Sequence, residues 1–157
     1  MTGPGKRLAF VTGGASEARV FVSQDEGRSF QVSTSPVPAG AASKGLFSVA
    51  WLDDTSLITV GGDYRQPALD GVKAALSVDS GARWTPVPSA PGFLSSVVRG
   101  PGKGAAIVAV GLAGTGISKD GGKTWTAVDE APYNSAGFAG ESGFAVGPKG
   151  VIARWKR

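Results

Sequence analysis

The sequence predicts an all-β fold made of repeated four-strand units. Three observations carry this reading. One phrase, Ser-x-Asp-x-Gly-x-x-aromatic, is written three times. Short strand-like runs recur in a fixed rhythm between Gly, Pro, Asp and Ser. No stretch shows a helical period with caps, and Ala39–Lys44, the nearest, is too short to stand alone.

The phrase occurs as Ser23-Gln-Asp25-Glu-Gly27-Arg-Ser-Phe30, as Ser77-Val-Asp79-Ser-Gly81-Ala-Arg-Trp84, and as Ser118-Lys-Asp120-Gly-Gly122-Lys-Thr-Trp125. Its starts lie 54 and then 41 residues apart, a period that means stacked units of one design. Each residue type has a reason. The Asp accepts hydrogen bonds from amides just ahead of it. The Gly supplies the left-handed backbone angle that closes a tight turn. The Ser bonds across the turn. The aromatic residue opens the next strand and fills space against a neighbouring unit, so Trp84 and Trp125 are expected to be largely buried. The first copy keeps the aromatic plug as Phe30 but lacks the indole N–H.

In chain order, strands are expected over Leu8–Thr12, Arg19–Ser23 and Phe30–Ser33, then over Leu46–Leu52, Ser56–Val60, Ala74–Ser77 and Trp84–Val87. A third group covers Phe93–Val98, Ala106–Val110, Gly116–Ser118 and Trp125–Val128. The last holds Ala136–Ala139, Gly143–Val146 and Val151–Trp155. Every copy of the phrase falls between the third and fourth strands of a unit. The chain then reads as a partial unit (1–35), two full units (45–90 and 92–131) and a partial unit (134–157). Four-stranded units of about 40–50 residues are the blades of a β-propeller, so a partial propeller of about three and a half blades is expected. The extra length between the first two phrases falls in two loops, Pro36–Gly45 and Gly61–Lys73.

Composition excludes several chemistries. The 157 residues contain no Cys and no His. A disulfide, a thiol nucleophile, a His-based triad and a zinc site of the usual Cys/His kind are all excluded, and no metal or cofactor is expected. The net charge of +4 is mild. The one dense basic cluster, Arg154-Trp155-Lys156-Arg157, reads as a solvated end rather than a nucleic-acid footprint. No apolar run is long enough to span a membrane, and the first residues are too short and strand-like for a signal peptide.

With its neighbours Gly121-Gly-Lys-Thr-Trp125 and Ser142-Gly-Phe-Ala-Val-Gly147-Pro-Lys-Gly-Val-Ile-Ala-Arg154, the phrase resembles the Asp-box, or BNR, repeat. The chain is similar to Asp-box propellers, above all to bacterial proteins related to the photosystem II assembly factor, whose full-length forms are often exported. That resemblance implies six or seven blades in a whole protein, of which this chain holds the C-terminal part. It also implies a binding role without catalysis, with ligands on the face opposite the Asp-boxes. A protein partner, or a second copy, would complete the propeller.

The loops on that opposite face are Gly13–Ala18, Gly61–Lys73, Gly111–Thr115 and Gly147–Gly150, with the inter-unit loops near Gly40, Pro91 and Tyr133. The richest is Gly61-Gly-Asp63-Tyr64-Arg65-Gln66-Pro67. Arg65 suits a carboxylate or phosphate, and Tyr64 suits a ring or a single hydrogen bond. Asp63, Tyr64, Arg65 and Tyr133 are therefore the binding candidates. The bland reading pairs Asp63 with Arg65 as a loop tether, and reads Lys73 and Glu17 as solvated loop charges. An alternative class is a sialidase-like glycoside hydrolase fragment, since sialidases contain Asp-boxes. The eight arginines lie mostly at ends or turns, and no Glu is placed to activate Tyr64. A purely structural fragment is the other alternative.

Overall fold

In the computed structural model the described residues are 2–3, 5–88, 90–102 and 104–155. Among these residues fourteen strands form four antiparallel sheets, each made from consecutive stretches of chain. The first holds β1 (Leu8–Val11), β2 (Arg19–Ser23) and β3 (Gln31–Thr34). The second holds β4 (Lys44–Trp51), β5 (Leu57–Asp63), β6 (Ala74–Ser77) and β7 (Thr85–Val87). The third holds β8 (Ser96–Arg99), β9 (Ile107–Gly111), β10 (Gly114–Ser118) and β11 (Thr126–Asp129). The fourth holds β12 (Ser135–Ala139), β13 (Ser142–Val146) and β14 (Ile152–Arg154). A 3-10 turn, Pro148–Gly150, precedes β14. Strand order within each sheet follows chain order, as neighbouring hairpins dictate. The result is a partial β-propeller, as the strand rhythm predicts.

Stacking of the sheets makes the core. Val20, Val22 and Ala9 of the first sheet pack on Leu46, Val49, Trp51 and Leu57 of the second. Ile58, Val60 and Ala74 of the second pack on Val97, Ile107 and Ala109 of the third. Val108, Val110 and Tyr133 meet Phe138, Ala145 and Trp155 at the third junction. A middle sheet packed on both faces explains why every residue of β5 and of β9 is buried. The end sheets have no such second cover. Phe10, Phe30 and Val32 are exposed on the first, and Phe144, Val146 and Ile152 on the fourth.

The turns are built as their residue types dictate. In each copy the Ser hydroxyl donates to the Asp carboxylate and accepts the amide of the Gly four residues on. The Asp in turn accepts the amide four residues beyond itself, from Ser29, Arg83 and Thr124. Gly27, Gly81 and Gly122 all have φ near +87°. The aromatic residue packs back on the preceding sheet. Trp125 is buried in the junction that holds Ile58, and Trp84 donates its indole N–H to Ser33 Oγ at 2.9 Å. Trp84 is only half-buried, contrary to the expectation of a buried plug, because that bond draws it to the outer strand β3. Phe30 has no preceding sheet and lies edge-on to Phe10, 5.2 Å between centroids.

One stretch runs longer than the sequence suggests. β4 begins at Lys44 and β5 reaches Asp63, so the hairpin continues through Gly45, Gly61 and Gly62. These glycines read as strand breakers, but here they permit close approach. A Cβ on Gly61 would lie 2.0 Å from the Gly45 carbonyl oxygen.

Candidate functional site

Register separates two ends of the molecule. Trp51, Leu57 and Ser77 lie level at the end that carries the repeated turns, while Lys44 and Asp63 lie level at the other. The segment 64–72 springs from β5 at this second end. Internal turns shape it, with the amide of Gln66 donating to the Asp63 carbonyl and that of Leu69 to the Gln66 carbonyl. The amide of Phe93 donates to the Pro67 carbonyl at 2.7 Å, clamping the segment to the connection that leads into the third sheet.

Asp63 is buried and engaged. It accepts the backbone amide of Arg65 at 2.9 Å, and Lys44 Nζ stands 4.0 Å from its other oxygen. Burial works to raise its pKa, but a hydrogen bond from the Ser43 hydroxyl, the Arg65 amide and the charges of Lys44 and Arg65 hold it below the usual value. The tether expected between Asp63 and Arg65 thus runs through the backbone, and the ion pair is with Lys44.

Tyr64 is exposed beside two phenylalanines. Its ring stands edge-on to Phe47, 6.1 Å between centroids, and to Phe93 at 6.4 Å. Phe47 and Phe93 are themselves edge-on at 4.9 Å. Phe47 reaches this position through a β-bulge. Leu46 pairs with Gly61 and Ser48 with Val60, which leaves Phe47 as the extra residue between them; a bulge re-aims a side chain in this way. No signal of it stands in the sequence, since Leu46, Phe47, Val49, Ala50 and Trp51 are all apolar and the break in alternation shows only in the burial pattern of β4.

Tyr133 does not join this group. It is buried at the junction of the third and fourth sheets, with Val108 and Val110, and its amide donates to the Gly111 carbonyl. The structure therefore brings together Asp63, Tyr64 and Arg65 of the four candidates. It adds Ser43, Lys44, Phe47 and Phe93, which sequence reasoning passed over. Lys73, read as a solvated loop charge, is 4% exposed. The basic tail falls partly on Lys156 and Arg157, which lie outside the described residues.

A groove of about 910 Å³ opens at the turn end, between Trp51, Val98 and Phe138. Its charged groups are already occupied. Asp53 accepts the amides of Thr55 and Ser56, Asp54 pairs with Arg7, and Arg99 donates to the Gly102 carbonyl. Among the described residues no cluster of three or more His, Cys, Asp or Glu could hold a metal, and no helix is long and apolar enough to cross a membrane.

A family model described as the lipoprotein LpqB beta-propeller domain matches residues 3–136. A search of curated proteins found no match.

Proposed function

The chain belongs to the family of the lipoprotein LpqB beta-propeller domain, and on that footing we propose that it is a non-catalytic propeller scaffold. It binds a protein or small ligand on the face opposite the repeated turns. The observation that supports this reading most is the exposed aromatic group of Phe47 and Tyr64 against Phe93, beside Arg65. Rings held at a surface by a bulge and a clamped loop are preorganised for a partner. The repeated turns are read as Asp-boxes with a structural role, and an assembly-factor-like task fits such a scaffold. Catalysis by Asp63 is disfavoured because Ser43, Lys44 and the Arg65 amide already engage its carboxylate.

The propeller is completed by other strands. Its end sheets expose Phe10, Phe30 and Val32 on one side and Phe144, Val146 and Ile152 on the other. Each internal junction buries such a face, and a second copy of the chain offers a matching one at both ends of the arc.

Neutral aromatic probes test the binding face. In amide-resolved NMR of the full chain, p-cresol is expected to shift resonances of Phe47, Tyr64 and Phe93, and Tyr64→Ala to abolish the effect. Shifts confined to the groove beside Phe138 would contradict the reading.

A further inference from the structure

Lys73 stands just before β6 and is the most enclosed cation among the described residues, at 4% exposure. Its stem lies across Gly62. A Cβ placed on Gly62 would meet Lys73 Cδ at 2.9 Å and the Phe93 Cα at 3.6 Å. The missing side chain at position 62 thus makes the slot that Lys73 occupies, and the backbone of Phe93 borders it.

No hydrogen bond or ion pair holds the Lys73 ammonium among the described residues. Asp70, three residues before it, is exposed and forms no ion pair with it, and Asp63 is paired with Lys44. Trp51 Nε1 is the fully enclosed side-chain polar atom without a partner there. The Lys73 tip therefore keeps contact with solvent while its stem is packed. A packed stem with a solvent-facing ammonium and no counter-charge leaves that charge available to an anion. Arg65, two residues past Asp63, is exposed, and its guanidinium has no acid within 4 Å among the described residues. The charges of Lys44 and Arg65 act on the carboxylate of Asp63, the Lys73 stem lies against the adjoining Gly62, and Asp70 on the same loop is exposed.

We propose that Lys73 and Arg65 hold a carboxylate group whose aromatic or apolar neighbour lies on Phe47, Tyr64 and Phe93. This deepens the binding-face reading and rests on it. Lys44 is already matched by Asp63, so one ammonium and one guanidinium remain. The planar guanidinium fork suits a carboxylate. A dianion would add a second charge close to Asp63. The ligand class is then an aromatic carboxylic acid, free or at the end of a peptide chain.

The test compares 3-phenylpropanoate with 3-phenylpropanamide, which has the same ring and no charge, by NMR titration of the full chain. The acid is expected to bind about tenfold or more tightly than the amide. Lys73→Met keeps the stem and removes the charge. It should erase that preference while leaving the melting temperature unchanged or higher. Equal affinity for acid and amide in the native chain would overturn the carboxylate assignment and leave the aromatic face standing. A Lys73→Met variant that keeps the preference would overturn the role of Lys73, and one that loses stability would show a structural role instead. Tighter binding of phenyl phosphate than of the acid would reject a carboxylate in favour of phosphate. If N-acetylphenylalanine, with its free terminal carboxylate, binds as the free acid does, a peptide end is a sufficient source; binding of 3-phenylpropanoate alone confines the class to small acids. If p-cresol also fails to shift Tyr64, the face itself is rejected along with this inference.

Discussion

Ser118 donates its hydroxyl to Asp120 Oδ1 at 2.9 Å while accepting the Gly122 amide at 2.8 Å. One buried oxygen thus links the end of β10 to the carboxylate that organises the turn and to the glycine that closes it. The same arrangement stands at Ser23 and Ser77. Ser118→Ala leaves the Gly122 amide without its acceptor in a buried setting. Its expected cost is about 1–3 kcal/mol, measured by urea denaturation. A change within error would mean that water replaces the hydroxyl.

The second prediction concerns acid. Hydrogen bonds from the Ser29 hydroxyl and amide lower Asp25 to about 2 from 3.8. The Arg83 amide and side chain do the same for Asp79, and the Thr124 hydroxyl and amide for Asp120. A folded-state pKa below the unfolded one gives stability that is fully present above the unfolded value, and it is lost as pH falls through the folded value. Stability should therefore be flat above pH ~4 and fall between pH ~4 and ~2, with up to three protons taken up on unfolding. A melting temperature already falling between pH 7 and 5 would contradict this.

Backbone angles give the third. The residue before each turn glycine is also left-handed: Glu26 at φ 62°, Ser80 at 59° and Gly121 at 76°. Non-glycine residues are strained there. Ser80→Gly should stabilise the chain by up to about 1 kcal/mol, and Gly121→Ala should destabilise it by a similar amount. Thermal melts of the two variants, moving in opposite directions, would confirm the turn geometry.

The fourth addresses the slot under Lys73. Gly62 has φ +127°, and a Cβ there would meet the Lys73 stem. Gly62→Ala is expected to lower stability by about 2 kcal/mol. It should also displace the Phe93 amide, which is bonded to Pro67, with faster hydrogen exchange at that amide as the readout. Unchanged exchange would mean that Lys73 leaves the slot easily.

How legible these features were in the sequence depended on how local their causes are. The repeated turn is written within eight residues, so Ser23, Asp25 and Gly27 and their two sister sets could be read with their partners. The aromatic group could not. Tyr64 was visible as a loaded loop residue, but its neighbours Phe47 and Phe93 come from other stretches of chain. Phe47 arrives only because a bulge breaks the alternation of β4. Lys73 was misread because loop lysines are usually solvated; its burial follows from the absent side chain at Gly62, in a strand eleven residues away. Tyr133 stood in a polar stretch, yet stacking of the third and fourth sheets buries it. In each of these cases the cause is tertiary.

The mass of the full chain in solution, by light scattering across a range of concentrations, tests most directly whether this incomplete propeller needs a partner for its end sheets. Association beyond the single-chain mass of 15.8 kDa is expected, and Phe10→Glu or Ile152→Glu should reduce it. A monomer at every concentration, unaffected by either substitution, would contradict the completion of the propeller by a second copy.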